Sequence, residues 1–214
     1  MGQIAWKVLI PVSDRPWLES LEAIMVFVIP ILLILPFYVT GLIEQSSANI
    51  IMYCTYIVLS IAVTKYNRRS LEEIGITRKK LFPSAGNSVL SVLAAVIARF
   101  VLSGLRLSTD ISSWTAVTYN LLFWTLSGVG QEILFRGLIL FSLKRWKGWR
   151  VALLISSVLF GLVHVLRYPN ISAIMVEIVI GAAWGWIALE YENMIGPAIA
   201  HSLFNFLFSF VFTH

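Results

Sequence analysis

The chain has 214 residues, of which 58% are hydrophobic and 13% are charged, and its mean hydropathy is +0.85. A soluble domain of this size cannot bury so much apolar surface, so the composition excludes that class and indicates a polytopic membrane protein. The formal net charge of +5 does not indicate a nucleic-acid partner, because basic residues in a membrane protein first of all set its topology. The single cysteine, Cys54, excludes a framework of internal disulfides.

Long apolar runs predict an all-α transmembrane bundle of about seven spans. Residues 1–20 contain Trp6 and Trp17 and are interpreted as an amphipathic lead-in at the membrane interface. Two further regions follow, the N-terminal membrane helices of residues 21–112 and a C-terminal set of residues 113–214. The predicted spans cover residues 21–40, 48–64, 87–107, 114–143, 151–166, 171–189 and 195–212.

The fourth predicted span is too long for a simple crossing at about 1.5 Å per residue, so it must tilt, break or extend beyond the lipid. Basic residues are concentrated in the lead-in and in the loops after the second and fourth spans, whereas Arg106 and Arg167 flank the other side. The positive-inside rule therefore predicts a cytoplasmic N-terminus and, with seven spans, a C-terminus on the opposite side.

Two charged residues lie inside the fourth predicted span. Glu132 and Arg136 are four residues apart with the acid first, which is the favourable order for an ion pair on a helix. A charge at the bilayer centre costs about 2.5–3.5 kcal/mol on insertion scales, so a partner or a function must offset it. Gln131 lies about 100° around the helix and is expected to face a different neighbour.

Two more pairs with the same spacing follow on later spans, Phe160 with His164 and His201 with Asn205. Three helices can therefore present acidic, basic and amide groups to one buried pocket. Amide hydrolysis needs a base that activates water, a donor for the oxyanion and an acid for the leaving amine. The set Glu132, His164 and His201 can alternatively hold a zinc ion with one open position, although the sequence has no HExxH spacing.

The order and spacing of these residues carry a family resemblance. The motifs Gln-Glu-x-x-x-Arg-Gly at 131–137, Phe-x-x-x-His at 160–164 and His-x-x-x-Asn at 201–205 resemble those of the CPBP family. This family comprises the CaaX protease and bacteriocin-processing (Abi, Rce1-like) intramembrane endopeptidases. The resemblance covers about residues 114–212 and implies that residues 113–214 form the catalytic transmembrane core.

The resemblance implies roles for the motif residues. His164 is expected to assist the base that activates water, His201 and Asn205 to bind the oxyanion, and Arg136 to hold Glu132. It also implies a multi-pass protein of a bacterial or archaeal cell membrane, acting on a protein or peptide that reaches the bilayer. A prenylated tail, a leader peptide and a bacteriocin precursor all fit as substrates, and no cofactor other than zinc is suggested.

Gln131 departs from the family pattern, which has a glutamate as the presumed base at this position. A carboxamide has nearly the shape of a carboxylate but cannot take up a proton. Three interpretations follow: a deliberate inactivating exchange of Glu for Gln, a natural pseudoprotease that binds without cutting, or use of Glu132 as the base. In the last case Glu132 must leave Arg136.

Other functions are weighed against hydrolysis. Each polar pair, taken alone, is equally typical of helix packing, and Arg99 and Glu177 are treated as structural because no motif includes them. A proton carrier or transporter also keeps charges in its spans, but it predicts paired internal repeats, and the sequence shows none. A membrane scaffold that binds a partner's tail is the alternative that Gln131 favours.

Overall fold

The computed structural model describes residues 15–103, 106–107, 112–166 and 170–213. Over this part of the chain the structure is almost entirely helical. The α-helices are α1 Pro16–Val39, α2 Gln45–Tyr66, α3 Leu81–Ser103, α4 Trp114–Glu132, α5 Leu140–Lys147, α6 Trp149–Val163, α7 Ile171–Tyr191 and α8 Ile195–Phe206. The shorter elements are 3-10 turns at Leu71–Ile74 and His164–Leu166, π-helical segments at Ile133–Ile139 and Leu207–Val211, and β1 Arg106–Leu107 paired antiparallel with β2 Phe212–Thr213.

The expected all-α bundle is confirmed. Because α4, the π-helical segment and α5 are continuous, the described residues form seven long helices. Four of them are long and apolar enough to cross a membrane, namely Pro16–Val39, Gln45–Tyr66, Trp114–Lys147 and Ile171–Tyr191. The other three are shorter apolar helices. This arrangement is typical of an integral membrane protein.

The first helix begins earlier than the predicted span. Helix α1 starts at Pro16, where the fixed φ of proline suits the first helical turn, so residues 16–20 belong to a membrane helix. Glu19 and Ser20 are buried in the bundle. Residues 1–14 of the predicted lead-in lie outside the described residues.

The fourth helix, which was predicted to tilt, break or extend beyond the lipid, is continuous but not α-helical throughout. Its middle turns widen into the π-helical segment Ile133–Ile139, in which the N–H of Leu140 bonds to the carbonyl of Phe135. Every residue of 130–143 is buried, so protein rather than lipid surrounds this stretch. A helix buried on all sides turns its polar side chains toward protein rather than lipid, and the site described below is built from several of them.

A buried carboxylate ties three parts of the chain together at one end of the bundle. Glu19, only 2% exposed, accepts hydrogen bonds from Nη2 of Arg69 at 2.8 Å and from Nε of Arg145 at 2.9 Å. Helix α1, the loop after α2, and α5 thereby share one ionic cluster. Clustered, partly buried charges of this kind hold elements more firmly than isolated surface pairs.

The loop after α2 also has a reinforced turn. The backbone N–H of Ser70 bonds to Oε1 of Glu73 at 2.9 Å in a capping box, and Arg69 pairs with the same carboxylate at 3.1 Å. Partial burial raises the pKa of Glu73, but the Ser70 N–H and the Arg69 guanidinium outweigh it and lower that pKa. The ionised Glu73 therefore stabilises the loop above its unfolded pKa, and this contribution is lost as the pH falls through the lower folded value.

Asn193 fixes the start of the last long helix. Its buried Nδ2 donates to the carbonyls of Thr77 and Lys79 at 2.8 and 2.9 Å, and its Oδ1 accepts from the N–H groups of Ile195 and Gly196. The loop after α2 thereby sets the position from which α8 enters the bundle. Helix α8 carries the third motif, so this contact positions the site.

We expect Glu19→Gln to lower the free energy of unfolding by about 2 kcal/mol, because hydrogen bonds to charged groups are each worth about 1.5–3 kcal/mol. Thermal unfolding in detergent measures the effect. Glu44→Gln is the matched control, since Glu44 is exposed and its side chain does not cap α2. Equal melting temperatures for the two variants would contradict a stabilising role of the Glu19 cluster.

Candidate active site

Two glycines allow helix α4 to pack closely against both α2 and α8. A Cβ atom on Gly130 would lie 3.0 Å from Cα of Tyr53, and one on Gly128 would lie 2.7 Å from the backbone nitrogen of Ser202. Only residues without a side chain allow both backbones to come this close. The two residues after Gly130, which begin the first motif, are therefore held at the centre of the bundle.

Glu132 and Arg136 form the predicted ion pair. Both side chains are fully buried, and Nε of Arg136 lies 3.1 Å from Oε2 of Glu132. Nη2 of Arg136 donates to the carbonyl of Gly181 at 3.2 Å, and the guanidinium carbon lies 4.0 Å from the ring centre of Phe160. The arginine therefore binds a carboxylate, a carbonyl and an aromatic face, which together offset its removal from water.

His201 completes this buried group. Its Nδ1 donates to Oε1 of Glu132 at 2.8 Å, and its ring packs against Trp184 and Phe160 with ring centres 4.9 and 5.5 Å away. With the proton of a neutral ring on Nδ1, Nε2 is an acceptor and donates only when the ring is an imidazolium. Glu132 therefore bridges Arg136 and His201.

The other three predicted site residues line a cavity of about 160 Å³. Gln131, His164 and Asn205 reach it from α4, from the end of α6 and from α8. Nε2 of Gln131 donates to Oγ of Ser127 at 3.1 Å, and Nδ2 of Asn205 lies 3.5 Å from the same oxygen. The cavity thus joins all three motifs in one place.

His164 has a defined tautomer. Its Nδ1 lies 2.8 Å from the carbonyl of Phe160, and because a carbonyl only accepts, Nδ1 carries the proton. In the neutral ring, Nε2 is then the basic nitrogen. Phe160 links the two halves of the site, since its carbonyl orients His164 and its ring covers Arg136.

The structure therefore divides the six predicted residues into two groups. Glu132, Arg136 and His201 form the chain of buried contacts, hereafter the ionic chain, while Gln131, His164 and Asn205 line the cavity. Roles in hydrolysis stay predictions for all six. The division could not be read from the motifs, because residues four apart on one helix were expected to face one pocket.

Three of the cavity residues outside the motifs carry polar groups that bear on its chemistry. Ser127 accepts from Gln131 one turn away, and that i,i+4 spacing was its only signal in the sequence. The hydroxyl of Tyr56 is buried and has no hydrogen-bond partner among the described residues. Glu177 of α7, treated as structural from the sequence, lines the same cavity.

The residues suggested for zinc do not fit a metal site in this arrangement. Within the described part of the chain, no three His, Cys, Asp or Glu side chains form a group that can hold a metal ion. The carboxylate of Glu132 already faces Arg136 and His201, and Nδ1 of His164 binds a carbonyl. Zinc dependence stays a prediction that a chelator tests.

The part of the chain that contains the three motifs matches a known protein family. Residues 112–207 match the model of the Rce1-like family, described as type II CAAX prenyl endopeptidase Rce1-like. The matched range contains all three motifs. No curated protein and no solved structure matches the chain.

We expect Glu132→Leu to be strongly destabilising, by about 3–5 kcal/mol, because it leaves the buried Arg136 without its carboxylate. Glu132→Leu combined with Arg136→Met removes both charges and should be less destabilising than Glu132→Leu alone. Unfolding in mixed detergent micelles compares the two proteins. A double variant no more stable than the single one would show that the pair does not act as a unit.

Proposed function

We propose that this protein, whose residues 112–207 match the model of the Rce1-like family of type II CAAX prenyl endopeptidases, hydrolyses a peptide bond in a membrane-associated protein or peptide. The observation that carries this proposal is the cavity in which Gln131, His164 and Asn205 meet from three helices. It offers a basic nitrogen and amide donors around one space, which amide hydrolysis requires.

The walls of the cavity favour an apolar substrate segment. Side chains from α1 and from the C-terminal end of the chain supply much of the surface, namely Ile31, Ile34, Leu35, Phe204 and Phe208. Such a surface binds an apolar side chain or a lipid tail beside the scissile bond. A prenylated CaaX tail, a leader peptide and a bacteriocin precursor remain the proposed substrate classes.

In this mechanism water, not a protein nucleophile, attacks the peptide carbonyl. Nε2 of His164 holds the water and relays its proton, because Nδ1 is occupied by the carbonyl of Phe160. Nδ2 of Asn205 donates to the developing oxyanion, and its place in the cavity supports that task. His201 can add a donor only as an imidazolium, since its Nδ1 binds Glu132.

Glu132 is poorly placed to replace the missing motif glutamate. Its carboxylate is fully buried between Arg136 and His201 and is not part of the cavity lining. Serving as the base would require it to leave both partners. The alternative function, a pseudoprotease or scaffold that binds a partner's tail, is favoured by the carboxamide of Gln131, which bonds to Ser127 instead of receiving a proton.

The proposed setting is a bacterial or archaeal cell membrane, with the N-terminus in the cytoplasm. The basic residues of the loop after α2 and of α5 support this orientation. The ionic cluster of Glu19 with Arg69 and Arg145 then lies at the cytoplasmic end of the bundle.

We expect Gln131→Glu to cleave a mixed peptide library in liposomes at least as fast as the unaltered chain, because it places an acid at the motif position. Mass spectrometry of the products, with and without a chelator, measures the rate and tests for a metal. If neither form cleaves while both bind peptide, the pseudoprotease or scaffold becomes the better account.

We expect His164→Ala to lower the cleavage rate of the Gln131→Glu form by about 100-fold to 10,000-fold, because the nitrogen that relays the proton is lost. The melting temperature in detergent should change little, since His164 is only partly buried. Cleavage that persists at the original rate in a folded His164→Ala protein would exclude the proposed relay.

A further inference from the structure

A carboxylate is present in the cavity, but on a different helix from the one the motif specifies. Among the described residues that line the cavity, Glu177 is the only acidic side chain. It lies in the second turn of the membrane helix α7, where a charge is costly, and it is half-buried rather than enclosed. No motif of the sequence includes it, and neither the ionic chain nor the cluster around Glu19 uses it.

Close packing between α6 and α7 brings Glu177 to the level of Gly161, one turn from His164. A Cβ atom on Gly161 would lie 3.0 Å from the carbonyl oxygen of Ile174 and 3.2 Å from the backbone nitrogen of Ile178. His164 follows Gly161 by three residues, and Glu177 follows Ile174 by three, so each lies on the face of its helix that meets the other. The tight contact at Gly161 therefore sets the two side chains beside one cavity.

A second contact fixes α7 one turn further along. The carbonyl of Gly181 accepts a hydrogen bond from Arg136, and Glu177 lies one turn before Gly181 on the same helix. Arg136, which pairs directly with Glu132, thereby also holds the turn of α7 that follows Glu177.

We propose that Glu177 supplies the carboxylate that position 131 lacks and acts as the general base of hydrolysis, a role that rests on the proposed function. The carboxylate of Glu177 and the carboxamide of Gln131 line one cavity from two helices, and the proposal places one water between them. Gln131 can orient that water, because its Oε1 is buried without a hydrogen-bond partner among the described residues, and Glu177 takes the proton.

The step balances without any further reactant. Glu177 accepts one proton from water, directly or through His164, as the water oxygen bonds to the peptide carbonyl carbon. The carbonyl π electrons move to its oxygen, which Nδ2 of Asn205 binds. When the carbonyl re-forms, the C–N bond breaks with its electrons going to nitrogen, and Glu177 returns the proton to the leaving amine.

The test compares five full-length proteins in liposomes against the same peptide library. They are the unaltered chain, Glu177→Gln, Gln131→Glu, the combination of both changes, and Glu190→Gln. Glu190→Gln is the matched control, because Glu190 is an exposed acid on the same helix. Melting temperatures in detergent establish that each variant is folded.

We expect the unaltered chain to cleave, Glu177→Gln to cleave at least about 100-fold more slowly, and Glu190→Gln to be unchanged. Adding Gln131→Glu to Glu177→Gln should restore cleavage, because either carboxylate can serve the same water. This rescue separates a catalytic carboxylate from a merely structural one.

Other results overturn the role of Glu177 in distinguishable ways. If Glu177→Gln cleaves like the unaltered chain, or if only proteins with Gln131→Glu cleave, the protease function stands and Glu177 is not the base. If Glu177→Gln abolishes cleavage and the added Gln131→Glu change does not restore it, Glu177 is needed for something other than accepting the proton. If no protein cleaves, the proposed function fails and the role of Glu177 fails with it.

Discussion

The carboxylate of Glu132, held between Arg136 and His201, is the contact on which the rest of the site depends. A fully buried arginine is tolerated only where its partners are fixed, because removing charges from water costs several kcal/mol per ion. The surrounding structure supplies that rigidity. Two glycines bring α4 against its neighbours, the ring of Phe160 covers the guanidinium, and the carbonyl of Gly181 accepts from it.

This commitment of Glu132 has a chemical consequence. A carboxylate that neutralises one cation and orients an imidazole is not available to a water molecule in the cavity. In the proposed hydrolysis, the proton acceptor has to be another side chain. The structure separates the two tasks by a single position, since Gln131 faces the cavity and Glu132 faces the ionic chain. For the proposed function, the carboxamide at position 131 therefore makes the acid on α7, Glu177, important.

The local features of the fold and site were predictable, and the features that depend on packing were not. The lengths of the apolar runs predicted the helices of the bundle, and the i,i+4 rule predicted the pairing of Glu132 with Arg136. Both predictions depend only on the geometry of a single helix. The bond between His201 and Glu132 joins two helices, so no spacing in the sequence encodes it. Glu177 was missed for the same reason, since its position depends on how closely α6 and α7 approach at Gly161.

The number of residues in the π-helical segment Ile133–Ile139 determines how α5 is oriented relative to α4. It stands between Glu132 and α5, which carries Arg145 to Glu19. Each residue of an α-helix turns the chain by about 100°, so deleting one residue here would rotate α5 by about that angle relative to α4. The site and the ionic anchor of α5 could then no longer face their partners together. The register of this segment is therefore constrained together with the identity of its buried residues.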